Sequence, residues 1–388
     1  MRIAPHLLAG VAALFCPAAR ADGVPFRAPI AANHLHPGLY PGYHHPDFTG
    51  LHSPATQAAI RHGLAAGTLT TLPNWSAGFT VNGVNYSYTL IGTDPSQGPA
   101  TTIIPTIIVP IRLTIPDYVV NGQPLVLDGS SAVTSVLHSP IFRQSDYDSG
   151  RNLQFTDAML HAEFPAAPSH WHLRLAPTVA SVLDVTTTPG ETDVYVAKSG
   201  KYAATINDHV IDRAIVKSIR ANFDPSAYVI FVTYDAVEND AFGYHSGLMN
   251  NAKTGLEIFT YAAWLEDVAD VFGLPSPNSA TLAHEAAEIV HDAFGTSKTL
   301  EWGDWFNHNS CFQDYIEVGD AVEHAPPKVQ NTPQAVTING KPHKYTVQSE
   351  ALLPYFTRQY PSNAIHQAYS WPNEKAILGP APLYCDKI

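Results

Sequence analysis

Basic residues are scarce in this sequence: 21 Lys and Arg stand against 34 Asp and Glu, giving a formal charge of −13. Such a chain lacks the basic face that nucleic acid demands, which sets nucleic acid aside as a partner. Charge of either sign is thin, at 14% of residues, whereas prolines number 32. That balance is typical of a soluble secreted protein. Beyond the N-terminus no apolar stretch is long and uninterrupted enough for a membrane helix, and no internal repeat is found. Cysteine is nearly absent, with only Cys16, Cys311 and Cys385.

The N-terminus reads as a secretory signal. Arg2 is the positive start, Leu7 to Phe15 is an apolar run too short to span a bilayer, and Ala19-Arg20-Ala21 is a small-x-small cleavage site. Cys16 raises a lipoprotein alternative, but Phe15 occupies the position where a small residue is wanted. Removing residues 1–21 takes away Arg2 and Arg20 and no acid, which moves the formal charge from −13 to −15. The expected location is extracellular or periplasmic, with no integral membrane segment after cleavage. In an oxidising compartment the two remaining cysteines allow one pairing, Cys311 with Cys385.

The 388 residues suffice for one large domain or two modest ones. Residues 22–55, rich in His, Pro and Gly, read as an extended arm. A β-rich half (56–225) and a half holding the motif described below (226–388) follow, with no clear linker, so that 56–388 also reads as one continuous domain. Asn82-Gly83, Asn121-Gly122 and Asn339-Gly340 each carry the signature of a tight hairpin. Thr101 to Ile115 is β-branched but broken by Pro105 and Pro110, which suits edge strands or bends. Helices are expected at Ser131–His138, Phe155–Phe164 and His209–Asn222. Strands are expected at His170–Val179, Thr192–Val196, Tyr228–Tyr234 and Leu256–Trp264. The last of these is the candidate sheet edge for an extended peptide.

The richest stretch is Thr281 to Asp292, one amphipathic helix with an HExxE core. His284 and Glu288 share a face one turn apart, as two ligands of one metal would. Glu285 can lean toward a water on that metal. This is the logic of the HExxH zinc helix with a carboxylate in place of the second histidine. A third ligand is expected from Tyr315-Ile316-Glu317-Val318-Gly319-Asp320. Glu317 is the first choice, with Asp320 accepting a hydrogen bond from the free ring nitrogen of His284. The reverse assignment, Asp320 as ligand and Glu317 outside, stands as the alternative. Glu285 would be the general base on the metal-bound water, and His308, His291, His245 and Tyr315 are candidate oxyanion donors. One zinc per chain is expected, with calcium as the oxygen-rich alternative.

The chain also resembles a group of secreted microbial zincin-like proteins. They pair a helix of the form HE-[IL]-AE with a later C-x(3–5)-LEVGDP loop. Here the match is His284-Glu285-Ala286-Ala287-Glu288, Asp292-Ala293-Phe294, Cys311 and Glu317-Val318-Gly319-Asp320. Ser139-Pro140-Ile141-Phe142, Asp157-Ala158, Ala162-Glu163-Phe164 and Gly243-Tyr244-His245-Ser246 fit as well. A more distant likeness is to plant phosphate-induced, EXORDIUM-like proteins. Ala293 and Ala321 replace loop prolines of the pattern. The resemblance implies an α+β metallohydrolase of zincin-like plan, metallopeptidase-like, with a peptide or protein substrate. Its rivals are a non-catalytic extracellular protein holding a structural metal, and a metal-free glycosidase using Glu285 and Glu317 as a carboxylate pair.

Overall fold

The computed structural model describes residues 30–31, 48–147, 151–239, 241–250, 255–266, 268–272, 278–303, 313–323 and 325–383. The expected signal segment, most of the expected 22–55 arm, and Cys311, Cys385 and His308 lie outside the described residues. The chain is α+β. Its centre is a seven-stranded mixed sheet built around one long strand, Thr101–Val120. Tyr228–Tyr234 pairs with it in parallel, Gly255–Trp264 pairs in parallel with Tyr228–Tyr234, and Gly243–Asn250 closes the sheet as an antiparallel edge. On its other side the long strand takes His172–Val179 and then Leu183–Thr186, both parallel. Strands from both sides of residue 225 thus share one sheet.

Two expectations about this sheet are corrected. Pro105 and Pro110 do not break Thr101–Val120 or confine it to an edge. The carbonyls of Ala100, Ile108 and Thr114 accept from His172, Ala180 and Thr187, so even-numbered residues address that flank. Pro110 therefore turns its missing N–H into the gap between the partners of Ile108 and Ile111. Pro105 faces the opposite flank, just before pairing with Tyr228 begins at Thr106. Each proline falls where no donor is wanted. Leu256–Trp264, the expected edge, lies within the interior strand Gly255–Trp264, which is buried along its whole length. The edge is Gly243–Asn250.

Every Asn-Gly pair makes the hairpin expected of it. Val81 pairs with Val84, Val120 with Gln123 and Ile338 with Lys341, and both residues of each turn have positive φ, as a type I′ turn requires. The helices Phe155–Glu163 and Asp208–Asn222 and the strands Thr192–Val196 and Tyr228–Tyr234 lie where the patterns put them. A helix at Pro54–Ala66, capped by the Ser53 hydroxyl, arises in a stretch with no expected element.

The sheet is buried on both faces, as parallel strands require. Val229 and Phe231 pack with Val210, Ile211, Ile215 and Ile219 of the helix Asp208–Asn222. Tyr228, Ile230 and Val232 point the other way, into the core shared with the helix Ala280–Asp292. That helix is buried on all sides: every residue but Thr281 is in the interior. Its small residues Ala283, Ala286 and Ala287 let neighbours approach closely. The polar stripe of this helix meets protein, not bulk solvent.

Candidate metal centre

Three segments converge on the helix Ala280–Asp292 and deliver the polar groups. On the edge strand, Tyr244 and Leu248 pack into the core on the far face, so His245, of opposite parity, points at the helix. Gly243 makes this approach feasible. A Cβ there would lie 2.6 Å from Thr281 Cγ2 and 2.9 Å from Glu285 Oε1. The second segment is the Glu317-Val318-Gly319-Asp320 loop. Ile316 and Val318 are fully buried, and their backbones are pinned by Ile316 N–H to Ser297 O and Ala351 N–H to Val318 O. Glu317, between them, is turned to the opposite side, toward the helix. The third segment is the strand Lys341–Gln348, which ends at Gln348.

Glu288 is the hub. Its Oε1 accepts the backbone N–H of Gly319 at 3.0 Å and of Asp320 at 3.3 Å. Its Oε2 lies 3.0 Å from His284 Nε2 and 3.2 Å from His245 Nδ1. Asp320 Oδ1 is 3.5 Å from His284 Nε2, and Glu317 Oε2 is 3.5 Å from His245 Nε2. Glu285 Oε2 stands 3.5 Å from His245 Nδ1. Two sets of ligand atoms result, each within 4.8 Å and sharing Glu288: His284, Glu288 and Asp320, and His245, Glu285 and Glu288.

The chemistry of the donor set fits a divalent ion. Ligands held roughly 2.0–2.2 Å from a tetrahedral ion stand about 3.3–3.6 Å from one another, close to the 3.0–3.5 Å spacings around Glu288 and the imidazoles. Glu285 Oε2 and Glu317 Oε2 are buried and make no hydrogen bond among the described residues. Buried carboxylate oxygens left in this way are costly unless a cation faces them.

The electrostatics point the same way. Burial pushes the Glu288 carboxyl up, but His284 and His245 override it and hold it well below the usual carboxylate range. Burial alone would lower both imidazoles. Glu317, Glu285 and Glu288 nevertheless drive His245 well above its ordinary value, and Glu288, Glu285 and Asp320 do the same to His284. Glu285 and Glu317 are raised, chiefly by burial. Four carboxyl groups and two imidazoles are thus crowded together away from water, each shifting the others' affinity for protons.

The structure brings together all five residues expected from the sequence: His284, Glu285, Glu288, Glu317 and Asp320. One placement is corrected. Asp320 faces Nε2, the nitrogen that also faces Glu288, and does not sit behind the ring. The amide nitrogen of Gln348 holds the place behind it, 2.8 Å from His284 Nδ1, while also donating to Gly319 O at 2.8 Å. Of the candidate oxyanion donors, His245 is in the cluster. His291 is not: it bonds Ala287 O and Glu163 Oε2 deep in the core. Gln348 and the buried Glu350 and Glu323 carry no sequence signal tying them to the site. Comparison with family models, with curated proteins and with solved structures finds no match for this chain.

Proposed function

We propose that this chain is a metal-dependent hydrolase of zincin-like plan whose substrates are peptides or proteins. The observation that carries the reading is the shared carboxylate of Glu288. One oxygen is locked by two loop amides and the other is presented between two imidazoles, with Glu285 adjacent. His284, Glu288 and Asp320 would hold the ion. The His284 imidazole in this set favours a zinc-class ion over calcium, which prefers oxygen alone. When bound, such an ion supplies Lewis acidity to a scissile carbonyl and acidifies the attacking water.

The chain's own residues do the rest. Glu285 takes the proton of the attacking water at Oε2, and its burial-raised affinity for protons suits it to hold that proton and pass it to the leaving amine. His245, charge-paired with Glu317 at 3.5 Å, would be a cationic donor for the developing oxyanion. Gly243–Asn250 pairs with no other strand on its outer side among the described residues, so an extended peptide can add there next to His245.

A structural-metal reading is favoured by one observation, the depth of the cluster: Glu285 and Glu288 are each 3% exposed. The glycosidase reading is disfavoured. His245 stands 3.5 Å from both Glu285 and Glu317, in the space a sugar would need. Glu285→Gln separates the first two. The hydrolase reading expects hydrolysis of an unfolded protein substrate to vanish while metal content and melting temperature persist. Undiminished hydrolysis, or no hydrolysis by the metal-loaded wild type, would overturn it.

A further inference from the structure

A second group of ligand atoms lies outside this cluster. Asp157 and His161 stand four residues apart on the helix Phe155–Glu163, so they share a face one turn apart. The chain then returns through Trp171 to His172, the first residue of the strand His172–Val179. Asp157, His161 and His172 each offer a ligand atom within 4.8 Å of the other two.

We propose that Asp157, His161 and His172 form a second divalent-metal site, of the zinc class, that fastens the helix Phe155–Glu163 to the strand beginning at His172. Two imidazoles and one carboxylate are a borderline-soft set suited to zinc, cobalt or nickel and poorly suited to calcium or magnesium. Asp157 is oriented for single-oxygen ligation. Its Oδ1 accepts the Leu173 N–H at 3.1 Å, which leaves Oδ2 directed at His172 Nδ1 at 3.0 Å. His161 Nε2 lies 3.9 Å from Oδ1. The 3.0 Å between Oδ2 and His172 Nδ1 is close to the roughly 3.3 Å expected between ligands of a tetrahedral zinc, and His161 offers its atom within 4.8 Å of the other two.

The surroundings confine the group as a metal shell would. The side chains of Asp157 and His161 are 1% and 7% exposed. His161 is packed edge-on by Trp171, ring centroids 5.6 Å apart, and by His172 at 5.4 Å. The His172 side chain, 14% exposed, is the path by which an ion enters and a water completes the shell. The same helix carries Glu163, which bonds His291 of the HExxE helix at 3.0 Å. An ion here therefore fixes the scaffold behind the first site without touching it.

The test is zinc content of the full-length chain after equilibration with zinc and removal of excess, comparing wild type, His172→Gln, His284→Ala and the double variant. The expected result is one equivalent less in His172→Gln than in wild type, and none in the double variant. His172 is partly exposed, so this exchange disturbs the core least. Should that variant fail to fold, His284→Ala decides alone, because it must still bind one equivalent of zinc and melt higher with zinc than without. Equal zinc in wild type and folded His172→Gln would overturn the proposal, as would a folded His284→Ala that takes up none. One ion lost in His284→Ala but retained in His172→Gln sinks this site while leaving the first intact; the reverse pattern sinks the first alone.

Discussion

Gly319 lies flat against the imidazole of His284: a Cβ at position 319 would sit 2.5 Å from Nδ1 and 2.6 Å from Cε1. The backbone there has φ −78°, which any residue adopts. Only space demands glycine. His284 is 7% exposed and has nowhere to retreat. Gly319→Ala is therefore expected to push the ring off Glu288 and lower metal affinity more than about tenfold, since a misplaced ligand loses its geometry. Competition against a chromophoric zinc chelator measures this, and wild-type affinity in a folded Gly319→Ala would contradict it.

Gln348 fixes the other side of the same ring. It bonds Gly319 O and His284 Nδ1 at 2.8 Å each, tying loop, strand and helix together. Gln348→Ala removes the tie without removing a ligand. An ion on Nε2 leaves the His284 proton on Nδ1, which the Gln348 amide accepts by turning its oxygen to the ring; an acceptor at that place is worth about 10–100-fold in metal affinity, and a loss in that range is expected in the same assay. The far-UV circular dichroism should not change.

His291 and Glu163 form a buried pair, both side chains 1% exposed, with Nε2 and Oε2 3.0 Å apart. Glu163 Oε1 also accepts the Leu353 N–H, and His291 Nδ1 bonds Ala287 O. Burial would lower the His291 pKa, but Glu163 raises it above its ordinary value. Replacing His291 with Ala strands a buried carboxylate, and a cost of about 3–5 kcal/mol is expected. Urea denaturation measures it. The double variant with Glu163→Gln should lose less than the sum of the two single changes.

Glu350 is fully buried, neither carboxylate oxygen makes a hydrogen bond among the described residues, and burial pushes its pKa from 4.5 up to about 8. The folded state holds a proton that the unfolded chain releases near pH 4.5. The stability this contributes is complete below about pH 4.5 and is lost as pH rises through about 8. Glu350→Gln removes the loss. In metal-free protein the melting temperatures of wild type and variant should diverge above pH 5, the variant being higher at pH 9. Parallel curves would refute this.

Local chemistry was legible where it was written locally. The Asn-Gly turns, the HExxE helix and the acidic Glu317-Val318-Gly319-Asp320 segment are all short-range patterns. Strand order was not legible, because register across Thr101–Val120 depends on residues far apart in sequence. This is why the pattern of Leu256–Trp264 alone suits an edge, and Pro105 and Pro110 alone suit edge strands or bends. In the sequence His245 stands out only as one of several oxyanion candidates and as part of the Gly243-Tyr244-His245-Ser246 segment of the resemblance. Its signal is its parity opposite Tyr244 and Leu248, informative only once the strand's two faces are known. Gln348 ends an ordinary hairpin strand, and nothing near it marks a partner of His284.

Metal content of the full chain, wild type beside Glu288→Gln, tests the central claim most directly. Glu288 links both histidines and both loop amides, and its replacement by an isosteric amide keeps the shape while removing the charge. The expected result is one divalent ion fewer in the variant, with a cooperative melt retained. The same metal content in both proteins would mean that the cluster of His284, Glu288 and Asp320 holds no ion.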